Sequence, residues 1–549
     1  MTHQRPIPTL TLPVNPLSKF FCFHSQFSSS SQLSTMSFFS LIFLFSLLNL
    51  AQSQRQSPRG VFIDCGATVA SLIDGREWLP DATFVSSGTA KNLTDPNVAP
   101  ILSTVRSFPL QGNTNKKLCY VVPVFRTGKY MVRTTYYYGG VNGRDSPPVF
   151  DQIVDGTLWG IVNTTDDYAR GLVSYYEGVF VAAGKTMSLC IAANTNTDSD
   201  PFISALEFVL LGDSLYNSTD FGQYGLSLVA RHSFGHNGSI IRYPDDQFDR
   251  YWEPFVLSNP TMASFRNVPV SDFWNLPPVK VFETELTSSG MEPVEFQWPP
   301  ASLPNSTYYV ALYFADDRDS SSRVFNISIN GITYYHNLSV TSDGVAVFAT
   351  QWLLGGLTNI ILTPAAGSDI GPLINAGEVF NLLRLGGRTH TRDVIALESV
   401  KKSLENPPHD WNGDPCLPSQ YTWTGVTCSE GPRIRVVSLN LSNMGLSGSL
   451  SPSVANLTAL TNIWLGNNSL SGSIPDLSSL KRLEILHLED NQFSGEIPSS
   501  LGNIDSLQEL FLQNNNLTGQ VPNSLTGKPG LNLKIFPGNN FSSSPPSGA

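Results

Sequence analysis

At 549 residues the chain exceeds what one hydrophobic core sustains, roughly 250 to 300 residues, so about three domains are expected. Only 14% of it is charged, while Gly, Pro and aromatic residues are plentiful, which favours turn-rich β-sandwiches and repeats over long amphipathic helices. The formal charge of -11 offers no basic face to phosphates and argues against nucleic acid as a partner.

Met36 opens an apolar run that ends in Ala51-Gln52-Ser53, small residues suited to cleavage before Gln54, so residues 1–53 read as a presequence and secretory signal peptide. Twelve Asn-x-Ser/Thr sequons follow, at Asn92, Asn163, Asn217, Asn237, Asn305, Asn326, Asn337, Asn440, Asn456, Asn467, Asn516 and Asn540, as in a secreted glycoprotein. No later apolar run reaches the ~18 to 20 residues that span a bilayer. Residues 542–549 form a Ser/Pro linker tail. The expected location is extracellular, or the plasma membrane if a C-terminal transmembrane segment is missing from this version.

Between 58 and 388 the chain repeats itself. Val149-Phe-Asp-Gln-Ile-Val-Asp-Gly156 matches Val324-Phe-Asn-Ile-Ser-Ile-Asn-Gly331, and each ends in a hairpin signal. Further on, Pro201-Phe-Ile-Ser-Ala205 matches Pro372-Leu-Ile-Asn-Ala376; upstream, Tyr130 to Tyr136 matches Tyr308 to Phe314, both rich in strand formers. Two antiparallel sandwiches are expected, over 58–215 and 224–388. Gly60-Val-Phe-Ile-Asp-Cys-Gly66, Trp78-Leu-Pro-Asp81, Tyr243-Pro-Asp-Asp246 and Tyr251-Trp252 resemble plant tandem malectin-like domains. Animal malectin is a lectin for glucosylated glycans, and plant malectin-like ectodomains are associated with cell-wall sugars and small secreted peptides. The resemblance implies binding, with no catalysis and no cofactor.

Of five cysteines beyond the signal, Cys416 and Cys428 lie twelve apart without zinc-site spacing and read as a disulfide, whereas the pairing of Cys65, Cys119 and Cys190 stays open. They fall in 389–430, where Trp411-Asn-Gly-Asp-Pro-Cys416 through Trp423-Thr-Gly-Val-Thr-Cys428 resembles the disulfide-closed cap of plant leucine-rich repeats. A helical stripe, Val394, Leu397, Val400 and Leu404, precedes it. Over 434–541 a period of 24 residues, once 23, places Leu439/Leu441, Ile463/Leu465, Leu486/Leu488 and Leu510/Leu512 inward, with Asn468, Asn491 and Asn515 inside successive turns and Met444 at that place in the first. The fold expected is mostly β: two tandem malectin-like sandwiches, then a short solenoid with a small helical cap. The whole resembles a plant malectin-like leucine-rich-repeat receptor-like protein without a kinase.

The residues between the paired leucines, Asn440, Trp464, His487 and Phe511, face the concave side, edged by Glu484, Glu489, Asp490 and Glu509. This column either contacts a partner, such as a receptor-kinase co-receptor, or is a cross-strand ladder that stabilises a short sheet. Tyr136, Tyr137 and Tyr138 end a strand where rings can stack on a sugar, with Trp159, Tyr175 and Tyr176 as weaker candidates. The ligand expected is a cell-wall oligosaccharide or a secreted peptide. Asp166/Asp167, Asp245/Asp246 and Asp316/Asp317 read as solvated turns before calcium ligands or a glycosidase pair, and His232, His236 and His409 show no metal-ligand spacing. A secreted structural or decoy binding protein is the alternative; a wall-modifying hydrolase would need a spaced carboxylate pair.

Overall fold

Two hairpins set the pattern of the duplicated region. Strand Val149–Val154 turns into Thr157–Asn163 through Asp155 and Gly156, and Arg323–Ile329 turns into Ile332–Val340 through Asn330 and Gly331. All four turn residues have positive φ, 43° and 81° in the first hairpin and 51° and 75° in the second, as a two-residue type I′ turn demands. Each hairpin completes a four-stranded sheet, ordered 117–123, 186–192, 149–154, 157–163 in the first copy and 294–297, 359–364, 323–329, 332–340 in the second. This computed structural model describes residues 58–542 except 96–97, 111–115, 144, 258–260, 264–267, 272, 289 and 317–321; the signal segment and residues 543–549 lie outside the described residues.

The opposing sheets centre on Lys129–Tyr136, between Ala205–Leu210 and Ser174–Val181, and on Leu303–Phe314, between Ala376–Arg384 and Val345–Gly356. Leu118, Phe150 and Val162 pack on Val132, Leu206 and Phe208 in one core, and Phe296, Phe325 and Ile327 pack on Val310, Leu312 and Val379 in the other. The two sandwiches share one strand order. Gly66 and Gly235, at φ 87° and 78°, end the matching first strands; a Cβ there would lie 2.3 Å from the Val105 carbonyl oxygen and 2.7 Å from that of Glu285.

The copies are joined through their sheets. Gly178 and Val179 of the first pair antiparallel with Ser227 and Leu226 of the second, so one sheet runs across both. Its outer face is covered by a shared apolar layer in which Phe62, Met131 and Val209 meet Leu226, Tyr309 and Phe380. Leu215 and Tyr216, between the two repeats, are fully buried in this layer, so the connection is no loose tether. A row of buried side chains alternates in sign across the seam: Glu207, Arg133, Glu177, Arg231, Glu378. Arg133 lies 2.9 Å from Glu177, Arg231 lies 2.7 Å from Glu177 across the seam, and Arg231 Nε donates to Glu378 at 2.8 Å.

The solenoid builds a parallel sheet ordered 436–440, 462–464, 485–487, 509–511, 532–534, with a second row of short strands, 447–449, 469–473, 492–496 and 516–518, beside it. Leu439, Ile463, Leu486 and Leu510 are fully buried because each sits where the strand faces the coil interior. Asn491 shows why the turn asparagines recur: its Nδ2 donates to the carbonyls of Leu465, Leu488 and Glu489, and its Oδ1 accepts from Leu470 N–H. The side-chain amide thus serves backbone groups on the inside of the tight coil, among them Glu489 O, which also accepts from Asn467 N–H of the preceding coil at 3.0 Å. The cap carries the helix Thr391–Ser403, burying Ala396, Leu397 and Val400. Asp393 in its first turn receives Arg435 Nε and Nη2 at 2.8 and 2.9 Å.

Cys416 and Cys428 are bridged, and Cys119 is bridged to Cys190, which stands directly opposite on the neighbouring strand, leaving Cys65 a buried thiol. The second bridge meets the cap: Asn412 O lies 3.4 Å from Cys119 Sγ, and a Cβ at Gly413 would lie 3.0 and 3.1 Å from the two sulfurs. Tyr421 Oη donates to Asp151 at 2.8 Å, and Lys117 Nζ donates to the carbonyls of Leu417 and Tyr421 at 2.6 Å each. The chain thus doubles back, and the repeat cap sits on the first sandwich.

Burial pulls the Lys117 ammonium down from 10.5 to about 8, with Asp414 and Asp410 acting against it. Between those pH values the folded chain holds fewer protons than the unfolded one, so stability should rise with pH across that window and be lost as pH falls through about 8. Relative to Lys117→Met, the unfolding free energy of the natural protein should climb by about 3 kcal/mol over this range. Urea titrations at stepped pH read the difference; a flat one would mean that the ammonium keeps its water.

Candidate functional site

The concave face of the solenoid is set by strand register. Asn440 aligns with Trp464, Trp464 with His487, His487 with Phe511 and Phe511 with Lys534. His487 stacks on Phe511 with ring centres 4.1 Å apart and planes 14° off parallel, and Lys534 Nζ sits 4.0 Å from the Phe511 ring centre. His487 Nε2 lies 3.0 Å from Glu509 Oε2, and Nδ1 lies 3.9 Å from Glu489 Oε1. Trp464, His487 and Phe511 are half-buried and Asn440 is exposed, so the column shows ring faces and edges at the surface, fixed by the sheet beneath. Lys534 extends the sequence-derived column by one coil. The signal that could have found it is the aliphatic pair Leu533/Ile535 on either side of it, 23 residues after Phe511, the shorter of the two repeat periods.

The three consecutive tyrosines separate as alternation requires. Tyr136 and Tyr138 are only 1% and 2% exposed; the first donates to Gln152 Oε1 at 3.1 Å, the second to Gly143 O at 2.8 Å. Burial pushes the Tyr136 hydroxyl far above its ordinary range. Tyr137 alone keeps a half-exposed ring, with its hydroxyl on Asp95 at 2.7 Å. Trp159 is buried at the seam, its Nε1 donating to Ser227 Oγ at 3.0 Å. Tyr175 and Tyr176 line a seam cleft of ≈ 230 Å³ with Arg231, His232 and Glu253.

The acidic pairs are less solvated than the sequence suggests. Asp246 and Asp316 are buried, the former on Arg250 Nε at 2.9 Å and Trp252 Nε1 at 2.8 Å, the latter on Arg323 Nε at 2.7 Å. These are structural ion pairs, where the expectation was turns in water. Turn chemistry and burial compete, and a nearby arginine made burial affordable. Asp245 meets Lys280 at 3.0 Å, and Asp167 meets Arg170 at 2.7 Å on an exposed helical turn, while Asp317 lies outside the described residues. His232 Nδ1 accepts from Trp298 Nε1 at 3.1 Å, and His236 Nε2 lies 2.8 Å from Ser239 O. Eleven of the twelve sequon asparagines are exposed; the twelfth, Asn326, is half-buried and accepts from Asn337 N–H.

Comparison with known proteins matches residues 63–382 to the malectin-like domain, 390–429 to the leucine rich repeat N-terminal domain, and 482–504 and 506–527 to single leucine rich repeats. A probable LRR receptor-like serine/threonine-protein kinase of Arabidopsis thaliana is 30% identical over 474 residues, 81% of this chain and 49% of the relative. A second leucine-rich repeat receptor-like serine/threonine-protein kinase of that plant is 32% identical over 439 residues, 76% of this chain and 49% of its own length. The chain spans about half the length of these curated relatives. Among solved structures, the ANX2 ectodomain from Arabidopsis thaliana has a TM-score of 0.49 at 16% identity, covering 59% of this chain and 97% of that one. The complex of plant peptide RALF23 with FER and LLG2 has a TM-score of 0.48 at 19% identity, covering 60% and 96%.

Proposed function

Since this chain belongs to the malectin-like family, in the form that carries leucine-rich repeats, we propose that it is an extracellular receptor-like recognition protein. Its malectin-like copies take a cell-wall saccharide or a secreted peptide, and its solenoid docks a co-receptor through the concave column. The observation that carries this reading is the column itself: Trp464, His487, Phe511 and Lys534 in register on a rigid sheet, with Glu489 and Glu509 beside them. Aromatic anchors held by a sheet lose little side-chain freedom on binding, which is what interface hot spots require. The recognition half is held as one body with the repeat cap through Lys117, Tyr421 and the Cys119–Cys190 bridge, so ligand and partner can be presented in a fixed relation.

The stack of His487 on Phe511 also supports a second reading, a ladder that stabilises the sheet, as in a structural or decoy protein. The two separate in one experiment. The glycosylated chain from Gln54 to Ala549 is first tested against wall oligosaccharides and secreted peptides, then titrated against receptor-kinase ectodomains with and without Phe511→Ala. Docking predicts roughly a thirtyfold loss of co-receptor affinity, a hot spot of about 2 kcal/mol, with little change in melting. A lowered melting temperature with unchanged affinity would sink the docking role and leave the ladder.

A further inference from the structure

Among the described residues, two pairs join the sheets of the two malectin-like copies, Gly178 with Ser227 and Val179 with Leu226. Beyond this short zip the strand Tyr224–Phe234 bulges between Leu228 and Ala230, then pairs in parallel with Glu253–Phe255. Among the described residues, no strand fills the edge of Ser174–Glu177 that this divergence opens. The result is the ≈ 230 Å³ seam cleft lined by Tyr175, Tyr176, Val229, Arg231, His232 and Glu253.

The polar groups of this cleft are sorted into donors and acceptors. The Arg231 side chain is fully buried, its Nε donating to Glu378 and its Nη1 lying 2.7 Å from Glu177, so it backs the cleft as part of the charge row. His232 Nδ1 accepts from Trp298, which assigns the neutral ring its proton on Nε2, and burial lowers its pKa despite Glu253. That Nε2 lies 3.7 Å from Glu253 Oε2. The Glu253 carboxylate is 39% exposed, and its other oxygen accepts from Tyr175 Oη. Tyr175 is in turn steadied by an edge contact with Tyr251, ring centres 5.3 Å apart.

We propose that this cleft binds one neutral sugar residue, the terminus of an oligosaccharide. A vicinal diol both accepts, from His232 Nε2–H, and donates, to Glu253, while the apolar face of a pyranose ring lies on Tyr175. An anionic sugar would meet Glu177 and Glu253, and a cationic one Arg231. At about 30 Å³ per water the space replaces about eight waters, which suits a single ring. The inference rests on the recognition reading above and assigns it a site and a ligand class.

The test titrates the intact glycosylated chain with neutral gluco-, xylo- and galacto-oligosaccharides, with oligogalacturonides, and with a secreted-peptide panel. It compares natural protein, Val229→Trp and Glu253→Gln; Val229 is 37% exposed at the mouth, outside the charge network. The expected result is binding of at least one neutral series, weakened tenfold or more by both variants, whose melting curves match the parent. Neutral binding that both variants leave unchanged would move the sugar elsewhere and overturn the cleft while the recognition reading stands. So would binding of oligogalacturonides alone or of peptides alone. Binding of nothing in any panel would end both readings. If Val229→Trp fails to fold, Glu253→Gln, which keeps shape and an acceptor but loses the charge, decides alone.

Discussion

Arg133→Met is expected to lower the unfolding free energy of the chain by about 3–5 kcal/mol, the cost of removing one partner from a buried ion network. Arg133 has no exposed side-chain surface and faces three carboxylates: Glu177 at 2.9 Å, Glu207 at 3.1 Å and Asp249 at 3.5 Å. Its guanidinium also lies 3.7 Å from the Tyr251 ring centre. Methionine fills the volume but leaves those charges short of one cation. Glu207 is the most exposed to the loss, since burial already raises its pKa and Arg133 is the first charge holding it down. In the variant it should take up a proton more readily, so the deficit should shrink as pH falls. Guanidinium unfolding followed at the tryptophans, at pH 7 and pH 5, measures both. A loss below 1 kcal/mol at pH 7 would mean that the apolar layer around Tyr309 and Phe380, and not the charge row, holds the seam.

Cys119→Ala/Cys190→Ala is expected to cost about 4 kcal/mol, because the bridge closes a loop 71 residues long and so removes much of the freedom of the unfolded chain. A second effect is local. Asn412 and Gly413 rest on the two sulfurs, so the cap loses part of its footing when they go. Limited proteolysis should then cut sooner near Gly386–Arg388, the exposed stretch that leads into the cap. Unchanged melting and an unchanged cleavage pattern would show that the strand pairing of 117–123 with 186–192 needs no covalent help.

Legibility in the sequence followed the range of the forces involved. The hairpin turns at Asp155-Gly156 and Asn330-Gly331 depend on two residues each, and the coils on a spacing of 23 or 24, so both could be read directly. Cys416 and Cys428 were within reach for the same reason. The Cys119–Cys190 pair was not, because it depends on the register of two strands 71 residues apart. The seam network was invisible: Arg76, Arg133, Glu177, Glu207, Arg231, Asp249 and Glu378 are scattered over three hundred residues, and each alone looks like a surface charge. The candidate sugar residues were mixed by the same logic. Alternation could say that some of Tyr136, Tyr137 and Tyr138 turn inward, but only the fold places Tyr136 and Tyr138 in the core and gathers Tyr175 with His232 and Glu253.

The doubling back of the chain also fixes how the molecule would carry tension. In sequence the order is first sandwich, second sandwich, repeats; in space the first sandwich stands between the other two, held to the second by the shared sheet and to the repeats by Lys117, Tyr421 and Asn412. A pull on the repeat end therefore loads the first sandwich across its cap contacts before it reaches the second. The linker 385–390, also tied to the first sandwich by Gly386 N–H on Thr157, is spared until those contacts yield. Under a tether at the C-terminal side, the first sandwich is the strut of the assembly, and the second rides on it as an unloaded arm.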